Sequence, residues 1–179
     1  MTTEYELQEA HPGDYPAVIE MTNRAYRDIA GQAEWKVETL IQGTRIDESL
    51  LRDDLAASGA RLLIWRDAAG AHIGHVRLDD NSDGSWYLAM LTVKPDIQDG
   101  GFGKKLLAAA EDFAVIHGAR RMRLTVVHQR TELIAWYERR GYARTGETEP
   151  FPYGDDRFGR PTRNDLFLEM LEKELLRGR

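Results

Sequence analysis

The sequence predicts an α+β fold, with a mixed and mostly antiparallel central sheet and helices on its faces. Three apolar stretches, 61–66, 71–78 and 85–93, are separated by short turns rich in Asp and Gly, which is typical of antiparallel strands. The stretch 85–93 is apolar on both faces, as a strand at the centre of a sheet would be. A helical segment then separates it from the strand 121–127, and such a crossover implies local parallel pairing. We expect a single domain over residues 1–179.

The N-terminal third predicts one strand, one helix and a less regular arm. Tyr5 and Leu7 alternate with polar residues, which indicates a short first strand. Asp14 is positioned to cap a helix that Gly31 ends. We expect residues 32–59 to form a partly irregular arm on the surface. Its large apolar residues, which would anchor it, are Leu40, Ile41, Leu50, Leu51 and Leu55.

The remaining segments follow the same logic. Alternation along 85–93 predicts that Trp86, Leu88 and Met90 share one face of the strand. A helix is expected from about Gly103 to Gly118, and a second from a Thr131 cap through Arg140. Residues 149–164, rich in Pro, Gly and Asp, predict an ordered loop. That loop is either a wall of the substrate site or a packed hairpin tip or dimer contact.

Composition excludes several classes of function. Acidic residues outnumber basic ones by 30 to 24, which gives a net charge of −6 and argues against nucleic-acid and anionic-membrane partners. The chain has no cysteine, which excludes disulfides, thiolate metal sites and a cysteine nucleophile. No signal or membrane segment is visible, so we expect a cytoplasmic protein. His72 and His75 are expected on opposite strand faces, and no metal site is predicted.

The strongest chemical signal is a buried strand that leads through a glycine-rich turn into a helix. Main-chain N–H groups at a helix N-terminus favour a phosphate, and glycine allows its close approach. The dinucleotide fingerprint fails because no third glycine follows Gly103 at the required spacing. The Walker loop fails because Gln98 stands in place of its first glycine and Lys105 in place of its hydroxyl residue.

Two motifs resemble those of the GNAT superfamily of N-acetyltransferases. Gln98-x-x-Gly101-x-Gly103, after Val93 and Pro95, resembles the family's acetyl-CoA signature. Residues 132–142 resemble its fourth-helix motif, and the resemblance is clear over residues 61–142. It implies a GNAT fold, acetyl-CoA as co-substrate and a primary amine as acceptor.

The resemblance also implies residue roles. Tyr137 would be the general acid at the thioester sulfur. The family often has an Asn near the end of its fifth strand that contacts the cofactor, but the corresponding residues 127–131 contain no Asn. The expected acetyl-CoA contacts fall into a strand group for the pantetheine arm and a turn group for the diphosphate: Leu91, Thr92 and Val93, then Gln98, Asp99, Gly100, Gly101, Phe102, Gly103 and Lys104.

The chemistry of thioester aminolysis is compatible with a tyrosine acid. A thiol has a reference pKa of about 8.5 and a phenol of about 10, a gap that site electrostatics could close. No covalent enzyme intermediate is required. The sequence does not identify the general base, because the central strand, where many members of the family have a Glu, contains no Asp or Glu over residues 86–93. The possible bases are Glu34, Glu38, His75, His128, Glu147 and Glu149.

The expected function is acetyl transfer to a small-molecule or amino-acid-like amine, by a monomer or homodimer. Trp35, Glu38 and Arg45 could line the acceptor pocket, with Arg45 suiting a carboxylate. The alternatives are a non-catalytic acyl-CoA-binding sensor on the same fold and a protein N-terminal or lysine acetylase. A closed pocket would oppose the last alternative, and an open groove would favour it.

Overall fold

The computed structural model describes residues 5–27 and 40–175, with the main chain alone at Gln98 and Asp99. The described part contains four α-helices: α1 (Tyr15–Arg27), α2 (Glu48–Ala56), α3 (Phe102–Ile116) and α4 (Thr131–Glu138). Its strands are β1 (Tyr5–Glu9), β2 (Ile41–Gln42), β3 (Ala60–Asp67), β4 (His72–Asp80), β5 (Ser85–Val93), β6 (Arg121–Val127), β7 (Ala143–Pro150), β8 (Arg160–Pro161) and β9 (Phe167–Glu174). No described helix is long and apolar enough to cross a membrane.

Seven strands form one sheet in the order β1-β3-β4-β5-β6-β9-β7. The pair β5–β6 is parallel and is joined by α3, whereas the other neighbours in this sheet are antiparallel. This confirms the predicted α+β fold with a mostly antiparallel sheet. β5 lies at the centre of the order, as its two apolar faces predicted.

Apolar clusters cover both faces of the sheet. Alternate residues of β3 separate them: Leu63 and Trp65 pack with α3, and Leu62 and Ile64 pack with α1 and α2. Leu50 and Leu51 of α2 are buried in the second cluster. The expectation of a surface-lying arm is therefore wrong for residues 40–59, because α2 presents an apolar stripe to the sheet. Residues 32–39 of the predicted arm, and Gly31, lie outside the described residues.

The C-terminal part differs most from the sequence expectation. Every residue of β7 is exposed, and its pairing with β9 defines it as a strand. The predicted loop 149–164 therefore begins inside β7, and it contains β8, which pairs with β2.

The two predicted helix caps also differ from the structure. In α4 the cap residue is Arg130 and not Thr131, which is the first helical residue. Asp14 precedes α1, but its carboxylate accepts from the His11 main chain and from Arg66.

Candidate active site

A fork between two central strands forms the site. β5 and β6 pair over Ser85–Arg121, Trp86–Met122 and Tyr87–Arg123, and no pairing follows beyond that point. The Tyr87 hydroxyl and the Thr125 hydroxyl lie 2.5 Å apart across the fork. The two strands thus separate beyond Tyr87, and side chains bridge the gap at its base.

A bulge in β5 shapes one arm of the fork. Pairing with β4 steps from Thr92–His75 to Ala89–Arg77, which leaves Met90 and Leu91 opposite one residue. Met90 has a left-handed φ of 55°, and the Thr92 hydroxyl donates to its carbonyl at 3.0 Å. Positive φ at a non-glycine residue is strained and is found preferentially at functional sites.

The bulge also corrects the predicted facing of β5. Met90 packs in the cluster with α1 and α2, whereas Trp86 and Leu88 pack in the cluster with α3. Alternation had placed all three on one face. One extra residue in a strand reverses the facing of the residues that follow it, so Leu91 and Val93 return to the side of Trp86.

The glycine-rich turn lies after β5. Residues Pro95–Gly100 form a 3₁₀ helix, and Gly101, with a φ of 71°, is the cap residue of α3. The left-handed conformation is one that glycine adopts without cost. A Cβ at Gly100 would come within 2.5 Å of the Phe102 ring, so a larger residue there would require this ring to move. Lys104 is exposed in the first turn of α3, where helical N–H groups have no intrahelical partner.

A cavity of about 270 Å³ opens at the fork. Its walls come from both arms of the fork and from distant segments. Of the part of the turn whose side chains the structure describes, residues 95–97 and 100–104, no residue lines it, so this part of the turn and the cavity are separate regions. The lining includes Tyr26, Ile41, Arg45, Asp54, Arg77, Tyr87, Leu91, Thr125, Arg130, Leu133, Tyr137, Phe151, Pro152, Phe158 and Leu168.

Tyr137 reaches this cavity from α4. It is 6% exposed, and its ring packs edge-on against those of Trp136 and Tyr142. Burial raises the pKa of Tyr137, and Tyr26 and Tyr87 raise it further. Site electrostatics therefore widen the gap between phenol and thiol that they were expected to close. The phenol stays protonated at neutral pH.

Three arginines and one carboxylate line the cavity. Arg77 forms ion pairs with Asp54 and with Asp79. Arg45 and Arg130 have no ion pair with any described carboxylate, and Arg130 Nε is buried without a hydrogen-bond partner. Among the described residues, Asp54 is the acid that lines the cavity, and its pairing with Arg77 leaves it poorly placed to accept a proton from an amine.

The possible bases lie elsewhere where the structure describes them. His75 is fully buried, and its ring nitrogens contact the Thr22 hydroxyl at 2.7 Å and His72 at 3.1 Å. Burial, and then the charge of His72, lower its pKa to about 3. His128 stacks on Phe167, while Glu147 and Glu149 lie on exposed β7, and none of these lines the cavity. Trp35, Glu34 and Glu38 lie outside the described residues.

The short pair β2–β8 and the loop before it form a strap beside the cavity. We call residues 40–42 and 151–161 the strap. Its Ile41, Phe151, Pro152 and Phe158 line the cavity, which favours the reading of this loop as a wall of the substrate site. Gly159 has a φ of 92°, and a Cβ there would lie 2.7 Å from the Gln42 carbonyl.

The histidines of β4 contact each other and, within the described ranges 5–27 and 40–175, no further metal ligand. His72 and His75 lie on the same face, in contrast to the expectation, because a register shift between Trp65 and Arg66 reverses the alternation. In the described part of the chain, no group of three or more His, Asp or Glu residues could hold a metal ion.

Sequence reasoning missed several residues of the cavity. Tyr26, whose hydroxyl donates to the Leu91 carbonyl at 3.1 Å, had no distinguishing signal on its helix. Asp54, Arg77 and Tyr87 are ordinary helix or strand residues in the sequence. Arg130 stands in the stretch where the family's Asn is absent, and that departure is the signal that could have identified it.

Comparisons with known proteins agree with this geometry. The model of the acetyltransferase (GNAT) family matches residues 16–142. A spermidine N-acetyltransferase from Vibrio cholerae, solved with CoA and spermine, is similar in structure, with a TM-score of 0.66, 18% identity and 96% of each chain covered. A nourseothricin acetyltransferase has a TM-score of 0.64 and 17% identity, over 97% of this chain and 100% of that one. No curated protein sequence matches the chain.

Proposed function

The chain belongs to the GNAT acetyltransferase family, and from this premise we propose that it transfers the acetyl group of acetyl-CoA to a primary amine of a small, amino-acid-like acceptor. The observation that carries the proposal is the fork at Tyr87, where β5 leaves β6 and Tyr137 faces the resulting cavity. The strap closes one side of that cavity, which favours a small molecule over a protein chain.

The residues present fit acetyl-CoA, which supplies an acetyl group activated as a thioester. Gly101 gives the turn a left-handed residue without a side chain, and the exposed Lys104 adds positive charge. We propose that main-chain N–H groups of residues 98–104 hold the diphosphate. Leu91 and Val93, with Thr92 between them, would hold the pantetheine arm along the unpaired edge of β5.

We propose direct attack by the acceptor. The amine nitrogen bonds to the acetyl carbon, the carbon–sulfur bond breaks, and a proton is delivered to the sulfur. Tyr137 is the proposed donor of that proton, and the proton that the amine nitrogen loses restores the phenol. Burial raises the pKa of Tyr137 and makes the phenol a weaker acid, so we propose that it acts as a fixed hydrogen-bond donor that transfers its proton only as negative charge develops on the sulfur, where it stabilises the transition state more than the ground state.

The test measures acetyl-CoA binding by calorimetry and CoA release with a panel of small amines. Replacing Tyr137 with Phe should lower kcat by about 100-fold or more, since general acids contribute about that much. The dissociation constant of acetyl-CoA should stay unchanged. Tyr142→Phe is the matched control, because its buried hydroxyl donates to Glu111 and not into the cavity.

Each outcome has a clear reading. Full turnover by Tyr137→Phe would remove Tyr137 from the acid role. Acetyl-CoA binding without acetylation of any amine would indicate the acyl-CoA-binding sensor. No acetyl-CoA binding would overturn the proposed function altogether.

A further inference from the structure

Arg130 lines the cavity, and the Nε atom of its guanidinium is buried and unsatisfied. It lies between the end of β6 and the start of α4, with its main-chain N–H bonded to the Val127 carbonyl at 2.9 Å. Its Nε is buried and has no hydrogen-bond partner. Leaving a buried charged donor unpaired is costly, and a polar group of a molecule bound in the cavity would remove that cost.

Arg45 lines the same cavity from a different segment of the chain. Its guanidinium lies over the Tyr26 ring, 5.7 Å from the centroid. The Asn23 side chain accepts from the main-chain N–H groups of Arg45 and Ile46, at 2.7 and 3.0 Å. Asn23 also donates to the Ile46 carbonyl. These hydrogen bonds hold the segment against α1 and fix the main-chain position from which the Arg45 side chain extends.

The two arginines repel each other. Burial lowers the pKa of Arg130, and the charge of Arg45 lowers it further, while Tyr26 acts in the opposite direction. Both guanidinium groups remain charged at neutral pH. Arg77, in the same wall, is neutralised by Asp54 and Asp79. Within residues 5–27 and 40–175, the cavity therefore has an excess of positive charge at Arg45 and Arg130.

We propose that Arg130 and Arg45 bind a carboxylate of the acceptor, so that the substrates are amino acids or close analogues with a free carboxylate. This inference rests on the proposed function. A planar guanidinium matches a carboxylate in geometry and binds it through charge-assisted hydrogen bonds. The strap residues Phe151 and Phe158 then face an apolar side chain of the acceptor.

The diphosphate of the carrier is the alternative anion, and the geometry favours the acceptor. In the expected diphosphate site, the residues whose side chains the structure describes, 100–104, do not line the cavity. Arg130 and Arg45 line it together with the strap. The carboxylate and the diphosphate thus have separate cationic sites on the chain.

The first experiment compares acceptors that differ in one group. Amino acids with apolar side chains are assayed for CoA release beside their primary amides and their decarboxylated amines. The acids should have a kcat/KM about tenfold or more above that of the amides, as expected for a charge-assisted bond. Amidation lowers the pKa of the neighbouring amine and so supplies more free amine, which means that a preference for the acid reports recognition.

The second experiment removes each guanidinium. Arg130→Gln and Arg45→Gln should each lower kcat/KM for the acids about tenfold or more and leave the amides nearly unchanged. Arg130→Lys should recover part of the loss. The calorimetric dissociation constant of acetyl-CoA should not move. Arg139→Gln, at the exposed end of α4, is the matched control.

Three results would overturn the inference and leave acetyl transfer intact. They are equal or better use of the amides or amines, an equal loss for acids and amides in both Gln variants, and a loss of acetyl-CoA affinity that parallels the loss of turnover. The last would assign Arg130 to the carrier. If no acceptor of any kind is acetylated, the proposed function fails and this inference fails with it.

Discussion

The proposed function requires the turn at residues 95–104 and the cavity at the fork to bind anions in different ways. The turn is continuous in sequence and works through main-chain groups that glycine leaves accessible, with Gly101 at a φ of 71°. The cavity is assembled from α1, the strap, β5, β6 and α4, and it works through side chains. Changes to backbone conformation should therefore damage the turn, and changes to side chains should retune the cavity.

The largest effect on acetyl-CoA affinity should come from straining the turn. Gly101→Val forces a β-branched residue into a left-handed conformation, at a cost of about 1–3 kcal/mol, and places methyl groups where a diphosphate would approach. The acetyl-CoA dissociation constant measured by calorimetry should rise about tenfold or more. Gly118→Val is the matched control, because Gly118 has a φ of 97° at the other end of α3, with open space around it.

An equal loss of acetyl-CoA affinity in the two valine variants would contradict a special role of the turn. It would mean that left-handed strain alone, and not access to the amides of the turn, determines the outcome.

A smaller effect is expected at the strap. Gly159→Ala adds a Cβ within 2.7 Å of both the Gln42 carbonyl and the Ile41 side chain, which should disrupt β2–β8 pairing. The acceptor kcat/KM should fall severalfold with acetyl-CoA affinity unchanged. Gly154→Ala carries similar left-handed strain, at a φ of 88°, in open space, and should leave both constants as they are. Parallel loss of acetyl-CoA affinity would show that the two regions are not independent.

The smallest effect on turnover is expected from His75, which belongs to neither region. Its pKa is lowered from 6.5 to about 3, so the unfolded chain binds this proton more readily than the folded one. The associated stability is complete above about pH 6.5 and is lost as the pH falls toward 3, by up to about 1.4 kcal/mol per pH unit. Unfolding of His75→Asn, followed by circular dichroism, should show a weaker pH dependence between these limits.

Turnover provides the contrasting readout. The pH profile of kcat/KM above pH 6 should be the same for His75→Asn and the parent chain. A displaced profile would return His75 to the set of possible bases.

Sequence predicted the fold where structure is encoded locally. The bounds of β5 and β6 were predicted to the residue, because apolar alternation and flanking turns mark both. β7 was missed because it carries no apolar pattern. Pairing with β9 and the Arg144–Glu169 and Arg123–Glu147 ion pairs hold it, and these contacts are non-local. The facing of Met90 was wrong because a bulge has no composition signature.

In the candidate site, too, features made of consecutive residues were predicted and features assembled from remote segments were not. The glycine-rich turn was visible because its function depends on consecutive residues. Tyr137 was identified through the motif around it, and its position in the cavity wall agrees with that reading. The set of Tyr26, Arg77 and Arg130 was not visible, because helix packing and strand register bring these residues together from remote parts of the chain.

The bridge between the Tyr87 and Thr125 hydroxyls lies beside the last main-chain pair of the two strands, Tyr87–Arg123. Because the bridge consists of two side chains, we expect it to limit how far a substrate can enter the fork. Exchanging these residues for smaller ones should lengthen the passage as far as the paired main chain, without any movement of the sheet. We therefore expect substitutions at these two positions to change the length of the acyl groups or acceptors that fit, at little cost to the architecture.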